Sequence, residues 1–425
     1  MYCLIGQTTK TLTILKYVEM KKIIRSMQDL SLIASEVDHV LTLFSGGLDS
    51  SYILHELNSK AAKVTALVVD VGDDIDFGWL TTVTEHFNVD LLIVDAKLDF
   101  VGEGVLKAVQ GQAMYLGIYP VSSSLTRPIM AKYAVKVATE LGCGAIIHSA
   151  NQSQNSLRRL NGAIELIGYE GFYGTPYEFS AASRAKKTSV LIKSGLAAFS
   201  KREVSGDSNL WCREFESGLL DNPEKFHVPE SLYQWSVLNK EFQLTQNDDL
   251  LSFSFTNGVP TKVNGLSMSL ISLVAWVNKH GGAYQIGRYS GLEHLECGAK
   301  VLEIREAPAA ALLMAAYRHL ETAVHDVGLL SKKIIQEQIW CQEAVDGNWG
   351  SSLQQASDAF IFSTTQKVSG TVIFKLSKGG FFLCSVIAKD PLYLTDRDSW
   401  EIKVSKSRSQ LSLGNEKTIL TKSSS

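Results

Sequence analysis

From His39 onward, short apolar runs alternate with amphipathic stretches of helical period. Val40 to Phe44 is a run of strand length that stops at Ser45-Gly46-Gly47, so it predicts a strand entering a glycine-rich turn. Ser51 to Asn58 reads as the helix that follows. Lys63 to Asp70 is a β-branched strand, Trp79 to Phe87 a helix and Asp90 to Val94 another strand. Val101 to Leu116 and Pro128 to Leu141 have helical periodicity, and Ala145 to Ser149 is strand-like. Such alternation predicts an α/β unit on a doubly wound parallel sheet, because parallel neighbours need a crossover and the crossover is usually a helix.

Beyond about residue 197 the alternation breaks down. Leu250 to Phe255 is a strand, Gly258-Val259-Pro260 a turn, and Ser267 to His280 a helix closed by Gly281-Gly282. Ala309 to Val327 is a second long helix. Gly370 to Leu376 and Gly380 to Ala388 form a hairpin around Lys378-Gly379-Gly380. This mixture predicts an α+β second domain. The expected organisation is an N-terminal extension over 1–36, a nucleotide-type domain over 37–197, the α+β domain over 198–404, and a serine-rich mobile tail over 405–425. The extension, with a helical stretch from Tyr17 to Ser35, is either a cap or residues ahead of an internal start such as Met27.

Composition narrows the function. The chain has 425 residues with 45% apolar content, enough for sizeable cores, and a net charge of -3, which argues against the basic footprint of a nucleic-acid binder. Its six cysteines include no CxxC pair, so metal-ligand spacing is absent and reduced, packed thiols are expected. The longest apolar run, Ala307 to Tyr317, falls short of the ~20 residues a bilayer span needs. No signal-type segment stands at the N-terminus, so the expected compartment is the cytoplasm.

The chemistry concentrates in Ser45-Gly46-Gly47-Leu48-Asp49-Ser50, between a predicted strand and helix. Glycines let backbone N–H groups converge on an anion, and the helix N-terminus adds its positive dipole end. The Ser45 and Ser50 hydroxyls can donate to phosphate oxygens. Asp49 is positioned to hold Mg²⁺ or to fix the loop. No Gly-Lys-Ser/Thr string follows, so the loop is not of the kind that transfers a γ-phosphate.

Ser-Gly-Gly-x-Asp-Ser resembles the pyrophosphate loop of the N-type ATP pyrophosphatases, in which it holds the pyrophosphate that leaves when a substrate oxygen attacks the α-phosphate of ATP. The order of further segments, from about residue 39 to 403, resembles the argininosuccinate synthase family. They are Tyr119-Pro-Val-Ser-Ser-Ser124-Leu-Thr-Arg127-Pro128 to Lys132; His148-Ser149-Ala150 with Asn155 and Arg159; Asn209-Leu210, Glu216 and Gly218 to Pro223; Glu293 to Pro308; and Val368 to Leu394. The resemblance implies an adenine nucleotide alpha hydrolase-like domain joined to an α+β synthetase domain. It also implies ATP and Mg²⁺ as cofactors, small-molecule substrates, and a homo-oligomer such as a tetramer. Catalysis would rest on Ser45, Asp49 and Ser50. Phe44 to Ser50, Val69, His148, Ser149 and Ala150 would hold the nucleotide. Retained acceptor positions would be Tyr119, Ser124, Asn155, Arg159, Ser205 and Glu293, with Arg127 and Asn151 beside them. Without the resemblance, Tyr119 and Ser124 could be turn residues around Pro120, Arg159 a solvated helix charge and Glu293 a surface carboxylate.

The departures are as informative. Where the family has Thr-Gly-Lys-Gly-Asn-Asp, this chain has Asn151-Gln152-Ser153-Gln154-Asn155-Ser156, losing two glycines and, at Ser156, the carboxylate that meets the aspartate substrate. A family serine becomes Glu214 and a family tyrosine becomes Arg305. These new charges could pair with each other or together read a differently charged substrate. Three readings follow: an ATP-dependent C–N ligase with non-standard substrates, the ordinary coupling of citrulline with aspartate, and a non-catalytic nucleotide-binding paralogue. A tRNA-modifying member is disfavoured by the absence of paired catalytic cysteines and of a basic appendage.

Overall fold

The computed structural model describes residues 22–72, 74–201, 205–238, 250–295 and 298–408. The first eight strands are β1 (Ile23–Ile24), β2 (Val40–Leu43), β3 (Val64–Asp70), β4 (Asp90–Asp95), β5 (Met114–Tyr115), β6 (Tyr119–Pro120), β7 (Ala145–Ile147) and β8 (Phe172–Gly174). Six of them form a sheet in the order β1-β8-β7-β2-β3-β4 with every pair parallel, while β5 and β6 make a separate small hairpin. A sheet covered on both faces needs apolar residues on both, and β2 and β3 supply them. Leu41, Leu43, Leu67 and Val69 enter one core, and Val40, Ala66 and Val68 the other. One face is covered by α1 (Met27–Glu36), α2 (Leu48–Leu57), α3 (Phe77–His86) and, later in the chain, the helix Arg184–Lys193. The other is covered by α4 (97–110), α5 (Ser123–Leu141) and α6 (Ser156–Ile167); Arg184–Lys193 is thus α7. This is the doubly wound parallel architecture that the alternating pattern predicts.

The second part is antiparallel. Its strands are β9 (Ser205–Ser208), β10 (Arg213–Glu216), β11 (Leu250–Thr256), β12 (Val259–Val263), β13 (Leu266–Ser267), β14 (Arg288–His294), β15 (Lys300–Glu306), β16 (Gly370–Ser377) and β17 (Gly380–Ala388). They form one sheet in the order β14-β15-β10-β9 and another in the order β13-β12-β11-β16-β17. Helices α8 (Leu270–Ala283), α9 (Pro308–Val324), α10 (Val327–Asp346) and α11 (Ser352–Thr365) pack with them, and α12 (397–408) closes the described chain. One core joins the two parts, since Leu41 and Phe100 belong to the same apolar cluster as Leu313, Phe253 and Phe374. The long apolar run at Ala307–Tyr317 is thereby accounted for: α9 is buried on nearly all sides.

Several elements differ from the pattern-based expectation. The helix expected over Val101 to Leu116 stops at Gln110, after a π-helical turn at Phe100–Val105, because Gly111 and the left-handed Gln112 turn the chain into the β5–β6 hairpin. The helix expected to reach Val327 ends at Val324; the Asp326 side chain accepts from Leu329 N–H and starts α10 instead. The strand expected over Ala145 to Ser149 ends at Ile147. Of the helix expected over Tyr17 to Ser35, residues to 21 lie outside the described residues. Beyond them Ile23–Ile24 is a strand, and α1 begins at Met27 under a Ser26–Asp29 capping box. In the tail expected to be mobile from Ser405, residues 405–408 continue α12 and the remainder lies outside the described residues.

Candidate active site

The Ser45–Ser50 loop leaves β2 at the carboxyl end of the parallel sheet, where open α/β sheets bind ligands. Gly46 has φ +66°, and a Cβ there would stand 2.7 Å from Leu80 Cδ2, so any side chain would be strained and would have to displace Leu80. Trp79 Nε1–H donates to the Gly46 carbonyl at 2.9 Å and pins the turn to α3. Gly47 is the N-cap of α2 and has no side chain with which to cap it, so the helix start keeps its amides available to an anion. Ser45 and Ser50 hydroxyls stand 3.2 Å apart, and Ser50 Oγ–H donates to the Gly47 carbonyl at 3.2 Å. Phe44 and Val69 are buried at the ends of β2 and β3, and Leu48 is half-buried in the first turn of α2.

Asp49 is engaged from α7. Its Oδ1 accepts from Lys187 Nζ, whose side chain is 9% exposed, and Tyr177 Oη–H donates to the Asp49 carbonyl at 2.9 Å. The Lys187 ammonium also lies 4.8 Å from the centre of the Tyr177 ring. On the neighbouring strand end, His148 is buried; burial outweighs its Asn161 contact and pushes its pKa down to about 4. The neutral ring therefore donates Nε2–H to Asn161 Oδ1 at 2.8 Å. Ser149 and Ala150 continue from it into the 151–156 loop, in which Ser153 Oγ–H donates to Asn151 Oδ1 at 2.8 Å.

Between the parallel sheet and the β14-β15-β10-β9 sheet lies a buried ionic network. Glu293 on β14 is its hub. Oε1 accepts from Arg159 Nη2 at 2.7 Å and from Asn155 Nδ2 at 2.7 Å. Oε2 accepts from Arg305 Nη2 at 2.8 Å and from Tyr119 Oη at 3.1 Å. Burial alone would raise the Glu293 pKa, but Arg159 and Arg305 together outweigh it and hold the group at about 2. Arg305 also pairs with Glu214 at 3.0 Å and Glu303 at 2.7 Å, donates to the Pro120 carbonyl at 2.8 Å, and lies 4.0 Å over the Tyr119 ring. Arg159 completes its own set with Ser123 Oγ at 2.9 Å and the Val345 carbonyl at 2.9 Å. Burial raises Glu303 well above the usual carboxylate range, which reduces the negative charge of the cluster.

Most expected acceptor positions thus meet in one place, and the bland alternatives for Tyr119, Arg159 and Glu293 do not hold, since all three are buried in the network. Glu214 and Arg305 pair with each other. Arg127 Nε–H donates to Ser156 Oγ at 3.1 Å and its Nη2 meets Asp207 Oδ2 at 2.5 Å, tying the rebuilt loop to β9. Ser124 is buried, but Ser123 beside it makes the contacts to Arg159 and, through its N–H, to Glu214 at 3.3 Å. Ser205 on β9 is in backbone register with Glu216. The sequence pattern did not place Ser123, Lys187, Asp207 or Glu303 in the site, and Glu216 stood only as part of a matching segment. For Glu303 a signal existed: it alternates with Arg305 on one face of β15, opposite Leu302 and Ile304. Glu216 accepts from Gln154 Nε2 at 2.7 Å, and burial, reinforced by the nearby carboxylates, raises its pKa to about 7.

Comparison with known proteins agrees with this geometry. Residues 39–169 match the Arginosuccinate synthase N-terminal HUP domain and residues 204–412 the Arginosuccinate synthase C-terminal domain. Argininosuccinate synthase of Dictyoglomus turgidum is 31% identical over 363 residues, covering 84% of this chain and 89% of that protein. The Dehalococcoides mccartyi enzyme of the same name (strain 195) is 33% identical, covering 81% and 85%. Among solved structures, the U34-tRNA thiolase NcsA from Methanococcus maripaludis matches at TM-score 0.30 and 15% identity over 43% of this chain and 64% of that one, too distant to bear on the reading. These family matches mark the chain as an ATP-dependent ligase. The chain belongs to the argininosuccinate synthase family.

Proposed function

We propose that this protein is a carbon–nitrogen ligase that adenylates a carbonyl oxygen, releasing pyrophosphate, and couples the activated carbon to an amine, releasing AMP, with substrates other than citrulline and aspartate. The observation that carries the changed substrate is the closed hydrogen-bond account of Glu293. Its two oxygens already accept four donors from the protein, about the full capacity of a carboxylate, so none remains for a substrate ammonium. Arg305 and Glu214 neutralise each other rather than a ligand. A citrulline-type head group would have to displace a buried, satisfied ion cluster, which is costly.

The first step needs little from the protein beyond alignment and charge. The substrate oxygen attacks the α-phosphorus, the bond from phosphorus to the bridging oxygen breaks, and pyrophosphate leaves with that electron pair. The amides of the first turn of α2, with the Ser45 and Ser50 hydroxyls, are the groups that would receive it. In the second step the amine attacks the activated carbon, loses its proton and expels AMP. Glu216, with its pKa near 7 and its contact to the 151–156 loop, is suited to receive that proton.

Magnesium fits this loop as a partner of the nucleotide. No group of three or more metal-type ligands occurs among the described residues, and Asp49 Oδ1 is committed to Lys187. An ion held by ATP phosphates and water, with Asp49 Oδ2 as the nearby carboxylate oxygen, is the arrangement this donor set allows, and it would neutralise phosphate charge. Cys143, Cys212 and Cys341 are buried free thiols, which suits a reducing, cytoplasmic setting. The exposed β17 edge and α12 suit a homo-oligomer such as a tetramer.

The test is a pyrophosphate-release assay across paired carbonyl and amine substrates, run beside a direct assay for argininosuccinate. We expect no argininosuccinate at saturating citrulline and aspartate, and pyrophosphate with another pair. Steady formation of argininosuccinate would overturn the changed-substrate reading.

A further inference from the structure

We propose that Lys187 supplies the pyrophosphate site with the positive charge that the loop itself lacks, and that Asp49 is its tether. The proposal rests on the ATP-ligase reading and concerns which residue of the fold faces the departing phosphates.

The loop from Ser45 to Ser50 contains one charged side chain, and it is the acidic Asp49. A leaving pyrophosphate is highly anionic, so amides and hydroxyls alone would receive it beside a like charge. Lys187 changes that balance from 138 residues away. It sits in the first turns of α7, and its ammonium reaches the first turn of α2 to meet Asp49 Oδ1. The pair is neutral as a unit, so the helix start presents its dipole without the opposing carboxylate charge.

The hydrogen-bond account of Lys187 points to a further acceptor. An ammonium has three N–H donors. Here Asp49 takes one, the Tyr177 ring lies 4.8 Å away as a face rather than an acceptor, and the side chain is 9% exposed. Among the described residues the ammonium uses one donor of three, and phosphate oxygens beside the loop would engage the others. Tyr177, in the segment before α7, also donates to the Asp49 carbonyl at 2.9 Å, so the first turn of α2 is tied to that segment as well as to α7.

The experiment uses the full chain and calorimetric titration with inorganic pyrophosphate and, separately, AMP. K187M is expected to weaken pyrophosphate binding about ten- to hundredfold, the effect of losing a charge-assisted donor, with AMP affinity unchanged; K187R should recover part of the loss. Because K187M leaves Asp49 without its partner, D49N and D49N/K187M are compared as well, and the same loss should appear between them. Equal weakening of pyrophosphate and AMP would mean that Lys187 only supports the fold, and no change in pyrophosphate affinity would exclude it from the site. Either result overturns the proposal and leaves the ligase reading intact. Failure of the unmodified protein to bind ATP, AMP or pyrophosphate would instead defeat the ligase reading, and the proposal with it.

Discussion

At the scale of single residues, Arg305 decides the character of the site. It is fully buried, and Glu214, Glu293 and Glu303 hold it firmly protonated against the cost of burial. Removing it leaves Glu214 and Glu303 without their guanidinium partner, while Glu293 keeps Arg159 and Asn155. R305M should therefore cost about 3–5 kcal/mol in urea unfolding, and E214Q/R305M should recover part of that loss because one stranded charge goes too. A cost below about 1 kcal/mol for R305M would contradict the network described here. The pair E214S/R305Y tests specificity, since it returns both positions to the residue types of the family resemblance. Argininosuccinate formation, expected to be absent from the unmodified protein, should become detectable after the exchange. His148 gives a separate test by pH. Its folded pKa of about 4 lies below the ordinary value of 6.5, so the unfolded chain binds more protons between those values. Stability should fall as pH drops from about 6.5 towards 4, by up to about 3 kcal/mol, and H148Q should flatten that slope. The loop Ser45 to Ser50 was legible because an anion cradle is a local device of six residues. Lys187, Ser123 and Asp207 were not, because tertiary folding brings them to their partners from 138, 36 and 80 residues away.

At the scale of elements, the strand-to-helix turn at β2 and α2 is where sequence, backbone and chemistry coincide. Gly46 is held left-handed between the Trp79 hydrogen bond and Leu80, and its peptide helps set the direction of the α2 amides. G46A adds a methyl group 2.7 Å from Leu80 Cδ2 at an unfavourable φ. The turn should shift, with stability reduced by about 1–2 kcal/mol and ATP affinity by tenfold or more, measured by thermal melts and calorimetry. Unchanged ATP affinity would detach the turn from nucleotide binding. The same elements explain what the pattern of the chain could and could not reveal. β2, β3 and β7 are short and apolar because they are covered on both faces, which makes them visible. β15 alternates Leu302 and Ile304 with Glu303 and Arg305, and β14 carries Glu293, so the polar faces that a pattern would assign to solvent are in fact turned into the buried network. α10 buries Lys333 and Glu337 against Glu321, and a helix whose core-facing positions are charged hides from the same reading.

At the scale of the whole molecule, the described chain ends in a segment that its own core does not explain. β17 is an edge strand, and it exposes Phe382, Leu383 and Ile387. Residues 391–400 are exposed throughout and lead into α12, where Trp400 and Ile402 also face outward. Edge strands and apolar patches of this kind are normally covered. The serine-rich composition from Ser405 predicts a mobile tail, whereas the helix over 397–408 starts before it and runs into its first four residues, with Trp400 and Ile402 exposed. A second copy of the chain is the occupant most consistent with a homo-oligomer, since symmetric association would cover the edge and the helix together. Ending the chain after residue 390 should then lower the oligomeric state measured by light scattering. It should leave the fold of the nucleotide part intact, because residues 391–408, the described part of what is removed, are exposed apart from a half-buried Val404. The substitutions W400S and I402S, which keep the backbone of α12, should weaken assembly in the same direction. If both proteins keep the assembly state of the parent, the exposed arm has another partner and the subunits meet elsewhere.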